Sequence, residues 1–155
     1  MKTARRLLSW ILLGLSVVLL AGCPKQPAKV NIVLNAASNV NPDAGGQALS
    51  VVVRIYQLKD KGRFESADYN AIWKSDKETL SEDLLERQER MIQPGTQEML
   101  EIQTNSQANY IGAVALFRNP SGDSWRKIIP ISKNTTQKIG LILREQTIEI
   151  VSGSK

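Results

Sequence analysis

The chain has 155 residues, 42% of them hydrophobic, with one Cys, no His and a formal charge of +5 from 20 Lys and Arg against 15 Asp and Glu. That is one domain's worth of chain. Without His and with a single Cys there is no Cys/His zinc set, no Ser–His–Asp triad, no Cys–His pair and no disulfide within the chain.

Residues 1–6 (MKTARR) are basic, and Leu7 to Ala21 is an almost unbroken apolar run ending in small residues. Roughly 20 apolar residues are needed to cross a bilayer core, and this run is shorter. The basic flank and small-residue exit read as a secretory signal peptide rather than a short membrane anchor or a buried helix. Once Lys2, Arg5 and Arg6 are removed with it, residues 23–155 carry 17 cations against 15 anions. A balance so near neutral leaves no electrostatic footprint for nucleic acid.

The run closes on Leu20-Ala21-Gly22-Cys23, which resembles the lipobox of bacterial lipoproteins. The resemblance implies removal of residues 1–22 and acylation of Cys23, the lone cysteine. Each buried methylene contributes about 0.8 kcal/mol, so more than one acyl chain gives firm anchoring. Pro24 to Lys29 (PKQPAK) then forms a short tether of roughly 3 Å per residue, which holds the domain within about 20 Å of the lipid. In the lipoprotein sorting rule Asp after the cysteine retains the protein at the inner membrane. Pro24 in that place implies the periplasmic face of the outer membrane.

From Val30 the chain reads mainly as short strands. Val30, Ile32 and Leu34 alternate with polar neighbours, the period of a half-buried strand. Ala36 to Ala48 (AASNVNPDAGGQA) is a long polar loop, a length that fits either a functional loop or a tolerated insertion. Leu49 to Leu58 is β-branched and predicts a second strand. Ser66 to Trp73 predicts a helix, with Ser66 as N-cap and Tyr69, Ile72 and Trp73 on one face. Ser75 and Glu78 suggest a capping box ahead of a second helix over Thr79 to Leu85.

Beyond Leu85, local propensity favours helix through Arg90, while Pro94-Gly95 predicts a turn. Segments Thr96–Gln103, Ala108–Phe117, Trp125–Ile131, Gln137–Arg144 and Gln146–Val151 predict further strands. Pro130 lacks an amide donor and places its strand at an edge or a bulge. Regular strands at this spacing suggest a β-sandwich domain over residues 30–155.

No residue set points to an enzyme or a cofactor. Glu82, Asp83, Glu86 and Glu89 alternate with Arg87 and Arg90 and read as a solvated charged face. Asn39, Asn41 and Asp43 are too sparse for an oxygen-ligand Ca²⁺ loop. Trp73, Trp125, Tyr56, Tyr69 and Tyr110 read mainly as core, with an exposed aromatic platform for glycan as the alternative.

Asn41-Pro42-Asp43, Gly46, Val53 to Leu58, Phe64, Ala67-Asp68-Tyr69, Leu84-Leu85, Pro94-Gly95, Tyr110-Ile111-Gly112, Phe117-Arg118 and Trp125 follow, in order, the pattern of the SciN/TssJ family. Together with the lipobox they make the chain resemble the outer-membrane lipoproteins of type VI secretion. Ser81 departs from the pattern, which has Gly ahead of the two leucines.

The resemblance implies a mainly β, transthyretin-like two-sheet β-sandwich with a small helical insertion around residues 66–85, and a strand from Glu86 to Ile92. It implies that the loop between the first two strands contacts the periplasmic C-terminal region of the inner-membrane protein TssM. The contact residues carried over are Asn39, Val40, Asn41, Pro42 and Asp43. A lipid-anchored module for peptidoglycan or other glycan is the second reading, because fold alone does not fix function.

Overall fold

A computed structural model of the chain describes residues 28–133 and 135–152. Cys23, the signal peptide and nearly all of the tether lie outside the described residues. The elements are β1 (Lys29–Ala36), β2 (Val51–Leu58), helices α1 (Gly62–Ser66) and α2 (Tyr69–Leu80), a 3₁₀ turn (Ser81–Asp83), β3 (Leu84–Ile92), β4 (Gln97–Gln103), β5 (Tyr110–Leu116), β6 (Arg126–Pro130), β7 (Gln137–Leu143) and β8 (Ile148–Ser152).

Two four-stranded sheets face each other, one in the order β4-β1-β7-β8 and the other β3-β2-β5-β6. This is the expected two-sheet sandwich. The β1–β7 pair is parallel, and the other pairs are antiparallel. Alternation sets which side chains face inward: Val30, Ile32 and Leu34 of β1 are wholly buried, with polar or half-buried residues between them. β6 is an edge strand, and Pro130 ends it.

β2 buries both of its faces. Val51, Val53 and Ile55 join the core between the sheets, whereas Tyr56 and Leu58 point to the outer face. There α1 and α2 cover them with Phe64, Ile72 and Leu80, all at most 1% exposed. Gly112 on β5 makes room for this layer, since a Cβ there would lie 2.9 Å from the Phe64 ring and 3.1 Å from Leu58 Cδ1.

The insertion differs in detail from the expectation. Ser66 ends α1 rather than capping a helix; Asp68, extended at φ −80 and ψ 163, caps α2 by accepting from the Ala71 amide. α2 is kinked at Ser75 (φ −143, ψ 38), and Asp76 Oδ1 accepts from the Lys77 amide just beyond. The second helix does not reach Leu85, because Ser81 turns the chain at φ 48, ψ −127 and pairing with β2 begins at Leu84. β2 itself begins at Val51 rather than Leu49.

An ionic layer lies under α2. Asp76, 5% exposed, accepts from Tyr56 Oη at 2.9 Å and Arg87 Nη1 at 2.9 Å, with Arg54 Nη1 at 3.4 Å. Arg54 also donates to the carbonyls of Ile72 and Trp73 and to Glu89 Oε2. Of the residues read as a solvated charged face, Glu86, Arg87, Glu89 and Arg90 lie on β3; Arg87 holds α2 to the sheet through Asp76, and Glu89 pairs with Arg54 across to β2.

Candidate functional site

The described chain enters the sandwich at Ala28, whose carbonyl accepts from both the amide and the hydroxyl of Thr104. At that same pole Gln57, 2% exposed, donates to Glu86 and to the Gln103 carbonyl and accepts from the Asn105 amide. β1 then runs eight residues to the opposite pole, about 25 Å at roughly 3.3 Å per residue. The loop between β1 and β2 therefore sits at the far end of the domain from the point where the tether enters.

This loop is pinned to each of its neighbours. Ala37 accepts from the Gly95 amide in the β3–β4 turn and donates to the Leu143 carbonyl. Asn41 donates its amide to the Glu145 carbonyl, its side-chain nitrogen to the Ser50 carbonyl at 2.8 Å, and accepts the Arg118 amide at 2.8 Å. Four connections thus meet at one pole. Pro94-Gly95, with Gly95 at φ 71, supplies the tight turn in one of them.

The five residues assigned to the loop divide by burial. Val40 is wholly buried and Asn41 is 5% exposed, at φ 49, so both hold the loop rather than present side chains outward. Asn39 is exposed and donates to Glu145 Oε1 at 2.8 Å. Pro42 and Asp43 are half-buried, and Asp43 Oδ1 accepts from the amides of Gly45 and Gln47. The outward set is thereby Asn39, Pro42 and Asp43.

Asn39, Ser121, Arg144, Glu145, Gln146 and Thr147 line an open cleft of ≈ 390 Å³ beside the loop. Glu145 and Arg118 carry the attachments of Asn39 and Asn41 yet have no periodic signal in the sequence; they fall in connections, where only the fold brings them together. Among the described residues no three His, Cys, Asp or Glu converge as a metal site. The pole thus presents amides, hydroxyls and a few charges to its surroundings.

Comparison with known proteins agrees with this architecture. The family described as type VI secretion lipoprotein, VasD, EvfM, TssJ matches residues 28–146. No curated protein sequence matches the chain. The crystal structure of the T6SS lipoprotein TssJ1 from Pseudomonas aeruginosa superposes with a TM-score of 0.79 at 34% identity, covering 83% of this chain and 98% of that one. A chain of a solved type VI membrane complex gives 0.73 at 30% identity, covering 81% and 99%. A chain of the structure described as the T6SS protein TssM C-terminal domain from EAEC gives 0.70 at 27% identity, covering 81% and 98%. With its family pattern running from the first described residue to the β7–β8 turn, the chain belongs to the type VI secretion lipoprotein family that includes TssJ.

Proposed function

We propose that this protein is the outer-membrane anchor of a type VI secretion trans-envelope complex, lipidated at Cys23, and that its β1–β2 loop binds the periplasmic C-terminal region of TssM. The observation that carries the reading is the polarity of the domain. The tether enters at one end, and a loop already fixed by hydrogen bonds stands about 25 Å away at the other. A loop held in place before binding loses less conformational entropy on docking. The similar chain in the TssM C-terminal domain structure supports the choice of partner.

The test is calorimetric titration of the full-length lipoprotein in detergent with the TssM C-terminal region, beside an Asn39→Lys/Pro42→Lys variant. Val40 and Asn41 stay intact so that the loop remains folded. The reading expects binding that the variant weakens by more than about tenfold, the scale of losing a central contact. Equal affinities would remove the loop from the interface.

A further inference from the structure

Of the aromatic residues read as core, Trp125 and Tyr56 are buried, but Trp73 is 50% exposed. It lies on α2 beside Tyr69, ring centroids 6.5 Å apart. Tyr69 is fixed by an edge contact to Trp125 at 5.2 Å and by donating its hydroxyl to the Phe117 carbonyl. Trp73 is therefore an exposed ring on a rigid support. With Tyr69, Leu116, Phe117 and Arg118 it lines a groove of ≈ 360 Å³.

The apolar surface continues across the sheet. Leu116 pairs with Val52, and Val52 with Met91, so all three point to the same outer face of the β3-β2-β5-β6 sheet. The helices stop short of this row: Met91 is 64% exposed, and Val52 and Leu116 are half-buried. Exposed Lys74, whose Nζ lies 5.4 Å from the Trp73 ring centre, and exposed Arg118 border the strip. Neither makes an ion pair among the described residues.

This strip adjoins the loop at the far pole, because the Asn41 side chain is bonded to the Arg118 amide and to the Ser50 carbonyl just before β2. We infer that Trp73, Leu116, Val52 and Met91 form a second half of the interface, taken by a segment of the same envelope partner that presents apolar side chains bordered by Asp or Glu. The inference rests on the partner proposed above. The bordering cations match such a segment, and Trp, Met and Arg are the residue types that concentrate at the energetic centre of interfaces. A single partner reaching over the pole would meet the loop and the strip together.

The experiment adds Trp73→Ala and Met91→Lys to the same full-length titration, with Met99→Lys as control. Met99 is 71% exposed on the other sheet. Thermal melts establish that each variant is folded. The expected result is a loss of about tenfold or more for Trp73→Ala and a clear loss for Met91→Lys, with Met99→Lys unchanged. Both strip variants binding like the wild type, while the loop variant fails, overturns the strip and leaves the partner in place. A wild-type protein that does not bind TssM overturns both. Trp73→Ala binding TssM normally but losing affinity for peptidoglycan fragments overturns the strip in favour of glycan.

Discussion

The Asn41 side-chain oxygen accepts the backbone amide of Arg118 at 2.8 Å across 77 residues of sequence. With its nitrogen donating to Ser50 and its backbone at φ 49, Asn41 satisfies two partly buried backbone groups in a conformation that Asn tolerates better than most residues. Replacement by Ala removes both hydrogen bonds, at about 0.5–1.5 kcal/mol each, and adds a left-handed penalty of about 1 kcal/mol. Asn41→Ala is therefore expected to lower unfolding free energy by about 2–4 kcal/mol in urea titrations. Asn41→Gly relieves only the backbone and should fall between Ala and wild type. Equal stability of all three proteins would contradict the clamp.

Ser81 closes α2 at φ 48, ψ −127, a region where a side chain is strained. Strain of this kind is the reason the Gly implied there by the family resemblance would suit the turn better. Ser81→Gly removes a cost of about 1–3 kcal/mol and adds back about 0.5–1 through the freer unfolded chain. A net gain of about 1 kcal/mol in denaturant unfolding is expected; a loss would mean that Ser81 makes a compensating contact.

Gly112→Ala should act in the opposite direction. The added methyl would meet the Phe64 ring at 2.9 Å, and Phe64, on α1, is itself held against Tyr56. Overpacking of this kind costs about 1–3 kcal/mol. The paired variant Gly112→Ala/Phe64→Leu should recover part of the loss, since it removes the ring in the way. Purely additive effects in the double-mutant cycle would refute this packing account.

The strands with one apolar face were legible because burial and period coincide, as in Val30, Ile32 and Leu34. β3 was not legible from periodicity: its sequence, LLERQERMI, buries only Ile92 fully and carries helix-favouring charges. Pairing with β2 overrides that propensity, as Arg54–Glu89 and Gln57–Glu86 become cross-strand contacts. The position and polarity of the loop were legible; its internal division was not. Nothing local distinguishes the buried Asn41 from the exposed Asn39, because their partners Arg118 and Glu145 arrive from distant connections.

Cys23→Ser should separate anchoring from folding. The sandwich is secured from Ala28 onward through Thr104, five residues beyond the cysteine. The variant is expected to fold and bind TssM with wild-type affinity, yet to appear in the soluble periplasmic fraction and abolish secretion. Secretion at the wild-type level by this variant would rule out the anchoring role.

Asp76 makes stability depend on acid. Burial alone would raise its pKa, but hydrogen bonds from Arg87 and Tyr56 and the charges of Arg54 and Arg87 outweigh it and hold the carboxyl below its ordinary value. Burial pushes the Tyr56 phenol well up, so it stays a neutral donor. A carboxyl depressed by folding stabilises the native state above its unfolded pKa, about 3.9, and that stabilisation is lost as pH falls through the lower folded value. Asp76→Ala takes the acceptor from Tyr56 and Arg87, while Arg54 keeps Glu89 and two carbonyls, and should cost about 1–3 kcal/mol at pH 7. Asp76→Asn keeps the shape without the charge, so its stability should lie below wild type at pH 7 and approach it below about pH 4. Urea midpoints measured from pH 7 to 3 decide the matter: curves that converge place the acid sensitivity at Asp76, and curves that stay parallel assign it to other carboxylates.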